Sequence, residues 1–156
     1  MRLIIASAGR FRDSPERALF ERYRRRIRWG VELRELEAKG RHAPAESIRR
    51  EAALFDSCIP AGAHVIALDR AGKTLSSEGF ANHLGNLRDA GRREVVFLIG
   101  GAEGLSPRLV ANADLVLAFG AATWPHLLVR AMLIEQIFRA QEILSGHPYH
   151  RGGKGG

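Results

Sequence analysis

The stretch Val95–Pro107 reads VVFLIGGAEGLSP. It begins as a continuous apolar run, which is typical of a strand buried on both faces of a sheet. The run ends abruptly at Gly100 and Gly101, and Gly104 follows three residues later. Ser106-Pro107 then has the composition of a helix start, with a capping serine and a proline in the first turn. This strand, turn and helix predict a central strand of a parallel sheet, with a ligand beyond its carboxyl end.

Strand-like and helical segments alternate outward from this stretch. The predicted strands are Leu3–Ala6, Val31–Glu37, His64–Leu68, Val95–Ile99 and Leu115–Phe119. The predicted helices run from Ser14 to about Arg26, over Pro44–Cys58, over Ser76–Ala90, from Ser106 to about Ala113, and over Pro125–Ser145. This order predicts an α/β fold in one domain over residues 1–156, with a mostly parallel sheet and helices on both faces. Val31–Glu37 alternates apolar and charged residues, which favours an edge strand.

The charge is concentrated in the first third of the chain. The net charge is +7, and residues 1–50 carry 14 Lys and Arg against 7 Asp and Glu. Of the 24 basic residues, 21 are Arg, a residue suited to bidentate phosphate contacts. This distribution predicts a polyanionic partner, most commonly a nucleic acid. The alternative is a solvated, arginine-rich surface.

Several classes of protein are disfavoured by the composition. The apolar runs are shorter than the roughly 18–20 residues that span a bilayer. The start of the chain, MRLIIASAGR, has the pattern of a first strand rather than a signal peptide. One cysteine gives no disulfide framework, and His126, His147 and His150 lack a recognised metal-ligand spacing. We therefore expect a cytoplasmic protein with neither a membrane segment nor a metal.

Three predicted strands end in loops that carry glycine, in the stretches ALDRAGK, LIGGAEG and AFGAATWPH. Small residues at strand ends let the backbone approach a flat ligand closely, so the three loops predict one shared pocket. A phosphate ligand is disfavoured, because the loop after Ile99 has neither the dinucleotide fingerprint nor the lysine of a P-loop. Glu103 in this loop suits a ligand with a positive centre. A tight turn without a ligand is the alternative.

Two predicted helices have informative faces. In the first helix, Ala18, Leu19, Tyr23 and Ile27 share one face, which we expect to be buried. In the last helix, Arg130 lies on the apolar face, where it must be paired or must face a cavity or a partner. The opposite face of that helix carries three charged residues that we expect to be solvated: Glu135, Arg139 and Glu142.

Three motifs, LIGGAEGLSP, WPHLLVRAMLIEQIFRAQEI and the late HPYHR, resemble those of the RlmH family of SPOUT-class methyltransferases. The resemblance implies a trefoil-knotted fold, a homodimer, and transfer of methyl from S-adenosylmethionine to N3 of a pseudouridine in the 23S rRNA of the assembled 70S ribosome. It also implies that the C-terminal tail of one subunit reaches the site of the other. The cofactor contacts that it implies are Leu68, Gly100, Phe119, Gly120, Ala121, Ala122, Thr123 and Trp124.

The chain departs from the family pattern at Ala102 and Leu127, where proline is common, and in the GGKGG that follows Arg151. Methylation at N3 requires removal of the ring N3 proton, for which His150 is the preferred base because an imidazole titrates near neutrality. Tyr149 is predicted to stack on the target base, and Arg130 or Arg151 to face a phosphate or the enolate oxygen. For His150, a purely RNA-binding role is the alternative to that of the base. The alternative function is a non-catalytic ribosome-binding or assembly factor.

Overall fold

The structure is a computed structural model in which residues 1–149 are described. Five strands alternate with five helices, as the sequence predicts. The strands are β1 (Arg2–Ala8), β2 (Gly30–Leu36), β3 (His64–Thr74), β4 (Glu94–Ile99) and β5 (Leu115–Ala118). The helices are α1 (Pro15–Arg24), α2 (Pro44–Cys58), α3 (Ser77–Asp89), α4 (Pro107–Asn112) and α5 (His126–Leu144).

The strands form one sheet in the order β2-β1-β4-β3-β5. Every pairing is parallel, so all five strands end at the same edge of the sheet, which we call the carboxyl edge. The predicted parallel sheet is therefore confirmed, with β4 at its centre and β2 at one margin. The knot that the family resemblance implies stays a prediction.

Helices cover both faces of the sheet, and the alternation of side chains along each strand divides the core in two. In β4, Phe97 packs toward α1, α3 and α5, whereas Leu98 packs toward α2 and α4. Both side chains are fully buried, as is typical of a strand covered on two faces. This arrangement leaves the carboxyl edge as the place where loops from several strands converge.

The predicted end of β3 at Leu68 is wrong, because the strand continues to Thr74 after an irregularity. The β5 pairing jumps from Leu68 to Lys73, and the intervening segment bulges out of the ladder. Gly72 passes so close to β5 that a Cβ there would lie 2.7 Å from the carbonyl carbon of Val116. The Asp69 carboxylate accepts the Ala71 N–H at 2.8 Å, which stabilises the start of the bulge.

The predicted helix faces need two corrections. In α1 the buried residue is Phe20, whereas Leu19 is 38% exposed. In α5 the predicted solvated face is largely covered, since Glu142 is only 5% exposed. Its carboxylate accepts hydrogen bonds from Arg28 at 3.4 Å and Gln141 at 3.2 Å. Glu142 is buried because these donors surround it.

The chain has no helix within residues 1–149 that is long and apolar enough to span a membrane. His150 and Arg151, and the glycine-rich stretch after them, lie outside the described residues. The last described contacts are those of Tyr149, which packs back against α5.

Candidate methyl-donor site

A cavity of about 730 Å³ opens at the carboxyl edge of the sheet. The loops that follow β4 and β5 form most of its wall, together with the bulge of β3 and the start of α5. The three glycine-bearing loops therefore meet as the sequence predicts. Seven of the eight predicted cofactor contacts line this cavity: Leu68, Gly100, Phe119, Gly120, Ala122, Thr123 and Trp124. Ala121 belongs to the same loop as the last five of them.

The loop after β4 closes on itself too tightly for any side chain at Gly100. A Cβ there would lie 2.5 Å from the Gly104 carbonyl carbon and 2.7 Å from the Leu105 nitrogen. The Gly104 N–H donates to the Gly101 carbonyl at 3.0 Å, and Gly104 has a φ of 75° that favours glycine. Every residue of this turn from Gly100 to Gly104 lines the cavity.

The loop after β5 is held in shape by one of its own side chains. The Trp124 indole N–H donates to the Phe119 carbonyl at 2.9 Å, although the ring itself is 42% exposed. Across the cavity, Arg70 of the β3 bulge donates to the Thr123 hydroxyl at 3.5 Å. These two bonds fix the loop from within and from the neighbouring strand.

The charges of the cavity are mixed, with two carboxylates and a guanidinium at its wall. Glu103, Asp69 and Arg70 line it directly. Glu51 of α2 lies behind the loop, 3.5 Å from the position of a Cβ on Gly101. Burial raises the pKa of the Glu51 carboxyl, and the charge of Glu103 raises it further. Carboxylates on this side favour a positively charged group on the ligand.

His126 brings an uncharged imidazole to the opposite wall of the cavity. Burial lowers the pKa of His126, and the nearby Arg130 guanidinium lowers it further. The ring is therefore mostly neutral at pH 7, because an ordinary histidine already titrates near 6.5. A neutral imidazole in the cavity wall has an unprotonated ring nitrogen that can accept a proton.

Arg130 is fully buried directly behind His126. Its Nη2 donates to the carbonyls of Ala8 at 2.6 Å and Gly9 at 3.0 Å, and its Nη1 donates to Glu35 at 3.3 Å. Burial lowers the pKa of the guanidinium, and Glu35 offsets part of that effect. Within residues 1–149, Nε of Arg130 and Oγ of Ser7 have no hydrogen-bond partner. These contacts favour a positioning role for Arg130, at the junction of β1, β2 and α5.

Tyr149 lies against α1 and α5 and does not line the carboxyl-edge cavity of its own chain. Its hydroxyl donates to Glu135 at 3.2 Å, and its ring meets Phe138 edge-on at 4.8 Å between centroids. Arg139 lies 5.0 Å from the ring centroid. Burial raises the pKa of Tyr149 well above its usual range, and hydrogen bonding with Tyr23 adds to the effect. The phenol is therefore protonated at neutral pH.

The sequence reasoning missed three participants in the site, namely Arg70, Glu51 and Glu35. Glu35 gave a usable signal, because it is a carboxylate on the same face of the edge strand as the apolar Val31 and Leu33. Arg70 reaches the cavity through the β3 bulge, and Glu51 comes to lie behind the loop after β4 through the packing of α2. No local pattern indicates either placement. Among residues 1–149, acidic, histidine and cysteine side chains form no cluster of three or more that could hold a metal ion.

Comparison with known proteins agrees with this arrangement. A family profile described as "Predicted SPOUT methyltransferase" matches residues 1–150. A Rhodospirillum centenum protein named "Ribosomal RNA large subunit methyltransferase H" is 53% identical over 97% of this chain and 99% of its own length. A Nitrobacter hamburgensis protein of the same name is 48% identical over 97% of this chain and 100% of its own length. The chain therefore belongs to the SPOUT methyltransferase family, together with these ribosomal RNA large subunit methyltransferases H.

Proposed function

We propose that this chain methylates N3 of a pseudouridine in the large-subunit rRNA of the assembled ribosome, with S-adenosylmethionine as the methyl donor. The relatives named above support an rRNA substrate. The observation that carries the proposal is the glycine-walled cavity at the carboxyl edge, lined by residues that the resemblance independently implies as donor contacts. The expected location is the cytoplasm, where ribosomes are.

The residues of the cavity suit this donor. Apolar side chains of Leu68, Ile99 and Phe119 offer surfaces for an adenine ring, and the backbone of the two main loops offers hydrogen-bonding groups. The carboxylates of Glu103 and Asp69 suit the α-ammonium and sulfonium charges of the donor. When bound, S-adenosylmethionine supplies a methyl group on a positively charged sulfur. The turn at Gly100 and the loop pinned by Trp124 would hold the donor in one orientation, which supports in-line transfer.

The chain must also take the N3 proton and balance the charge that its loss creates. We propose His150 as the base, with Tyr149 stacking on the target ring; His150 lies outside the described residues. His126 is a second candidate, since its neutral imidazole already lines the cavity. The catalytic role predicted for Arg130 stays a prediction. Because Arg130 is fully buried, its role in the reaction would be to position the neighbouring residues rather than to touch the substrate.

We propose that the active form is a homodimer in which the tail of one chain completes the cavity of the other. A groove of about 450 Å³ between α1, α3 and α5 supports this proposal, because Leu19 and Leu75 at its rim are large apolar side chains exposed by more than a third. Two large apolar side chains exposed at one groove favour an interaction surface there. Sedimentation should give twice the 17.2 kDa of one chain.

The test is methyl transfer to purified 70S ribosomes that lack the modification, with nucleoside mass analysis of the product. We expect one methylated pseudouridine per ribosome. The competing function, a ribosome-binding factor without catalysis, predicts saturable binding to ribosomes with no methyl transfer. That outcome would refute the proposed reaction but not the proposed binding to ribosomes.

A further inference from the structure

The loop between β1 and α1, residues 9–13, lies beside the donor cavity but is not part of its described wall. A Cβ on Gly9 would lie 3.8 Å from Nε2 of His126, which does line the cavity. A Cβ on Gly101, on the other side, would lie 3.5 Å from Cβ of Ala8 at the end of β1. The start of the loop therefore lies against the His126 side of the cavity wall.

Buried contacts hold this loop in place from below. Arg130 binds the carbonyls of Ala8 and Gly9, as described above, and its guanidinium lies 4.7 Å from the centroid of the Phe11 ring. The Phe11 N–H donates to Glu35 at 2.6 Å, and the Phe11 side chain is only 3% exposed. A loop anchored at its middle residue presents the residues on either side in a fixed arrangement.

Those flanking residues are arginines that point outward. Arg10 and Arg12 are exposed on either side of the buried Phe11. Arg12 has a φ of 54° and is the one residue other than glycine, within the described part of the chain, that adopts a positive φ. A side-chain-bearing residue rarely adopts this conformation, and such strain concentrates at functional sites. The loop thus keeps Arg12 in a costly conformation that turns its side chain away from the core.

The charges around the loop leave these guanidinium groups able to change partners. Arg10 pairs with Glu37 at 3.1 Å, with both side chains more than half exposed. Exposed pairs of this kind contribute little stability and exchange readily for another anion. Arg17, in the first turn of α1, is also exposed and donates to the Arg12 carbonyl at 3.4 Å. Asp13 is an exposed carboxylate beside them, so the patch is basic but not uniformly so.

We propose that residues 9–13 bind backbone phosphates of the rRNA next to the target nucleotide, through Arg10 and Arg12. Arginine forms two parallel hydrogen bonds with a phosphate, which fixes orientation as well as position. Phosphate contacts position a nucleic acid without reading its sequence. The loop would thereby hold the target base over the cavity, and Arg130 acts as the positioning residue that fixes the loop. This inference rests on the proposed action on rRNA.

The test compares the double variant Arg10→Ala/Arg12→Ala with a matched control, Arg88→Ala/Arg93→Ala, whose arginines lie toward the opposite edge of the sheet. We expect the KM for ribosomes to rise about 10-fold and kcat to stay within about 2-fold, because the two lost phosphate contacts stabilise the bound substrate and the transition state alike. The slope of log binding constant against log salt should fall by roughly 1.5, and donor affinity should not change. The control should match the wild type in all four measurements.

A single variant separates this role from a structural one. Arg12→Gly removes the guanidinium and relieves the positive φ, so it should raise the melting temperature while weakening ribosome binding. The proposal is overturned if the double variant binds ribosomes with the wild-type affinity and salt slope. Ribosome binding is measured without turnover, so this result does not depend on methyl transfer. A wild-type protein that binds ribosomes but transfers no methyl group would instead refute the proposed function.

Discussion

The two edges of the sheet are built in different ways. At the carboxyl edge the loops are rich in glycine, and backbone groups form much of the surface of the cavity. At the amino edge, side chains close the structure. Asp114 accepts the Val65 N–H at 2.8 Å, and Arg92 donates to the Gly62 carbonyl at 3.3 Å. The difference indicates where a ligand can bind. An edge whose polar groups already have partners within the chain has few hydrogen-bonding groups left for a ligand.

Each edge also has histidines that favour the neutral form, but in different surroundings. At the amino edge, Nε2 of His64 lies 3.1 Å from Nε2 of His83, and burial lowers the pKa of both rings. At the carboxyl edge, His126 faces an open cavity. We expect the His64–His83 pair to influence stability, and His126 to influence the reaction.

The largest expected effect concerns the tail at the carboxyl-edge site. Ending the chain after Gly146 should lower methyl transfer by about 10²–10⁴-fold, because proton removal and alignment are lost together. Donor affinity should stay close to that of the wild type. The matched control ends after Arg151 and removes only the glycine-rich residues, so it should be fully active.

Mixing variants shows whether the tail acts across subunits. A chain that ends after Gly146 keeps its cavity, and a full-length Gly100→Ala chain keeps its tail. At a donor concentration too low to load Gly100→Ala, the mixture should regain activity that neither variant has alone. A shortened homodimer as active as the intact one would remove the tail from the mechanism.

Replacing Arg130 tests the junction behind the carboxyl edge. Arg130→Met should lower the free energy of unfolding by about 3 kcal/mol, because the buried carbonyls of Ala8 and Gly9 lose their donor. The control is Arg108→Met, which removes an exposed pair with Asp56 at 2.7 Å and should change stability little. Urea unfolding measures both. Equal effects would show that burial does not decide the importance of these pairs.

The amino edge should make the protein sensitive to acid. Since the pKa values of His64 and His83 are lowered in the folded chain, unfolded histidines bind protons first as the pH falls below about 6.5. Stability is therefore fully present above that pH and is lost below it. The melting temperature should drop by about 2–4 °C more between pH 7.5 and pH 5.5 in the wild type than in His83→Gln. A wild type and variant with the same pH dependence would contradict the account of this pair.

The smallest expected effect concerns the basic end of α1. This helix of ten residues carries the chain from the carboxyl edge back toward the amino edge, a distance of about 15 Å. Arg26 stacks on Phe138 at 4.2 Å, so the exposed Arg22 and Arg25 are the better probes. Their double replacement by Ala should lower the slope of log binding constant against log salt by less than about 1. A larger decrease of this slope than in Arg10→Ala/Arg12→Ala would show that the end of α1, and not the loop of residues 9–13, makes the main phosphate contacts.

The sequence predicted the carboxyl edge well because its signals are local. A glycine directly after an apolar strand, as at Gly100, indicates a tight turn or a close approach of the backbone to another group. The predicted bounds of α2 agree with the structure, since Pro44 begins the helix and Pro60 follows its end. Such signals need no knowledge of distant residues.

The errors arose where distant residues decide the outcome. The phase of α1 was misjudged because Leu19 and Phe20 are adjacent, and only packing against Phe11 at 5.3 Å selects the aromatic ring for the core. Glu142 is buried because Arg28, far away in the chain, donates to it. The extension of β3 depends on the approach of Gly72 to β5, which no local pattern contains.

The central claim is that the glycine-walled cavity holds the methyl donor. Calorimetric titration with S-adenosylmethionine tests it by comparing the wild type, Gly100→Ala and the control Gly91→Ala. Gly91 lies at the amino edge with open space around it, and its φ of 76° makes that substitution strained, so Gly91→Ala controls for a general loss of stability without touching the cavity. We expect the wild type and Gly91→Ala to bind alike. Gly100→Ala should bind about 10–100-fold more weakly, because its Cβ overlaps the Gly104 carbonyl carbon and forces the loop outward. Wild-type affinity in a folded Gly100→Ala protein would contradict the claim and place the donor elsewhere.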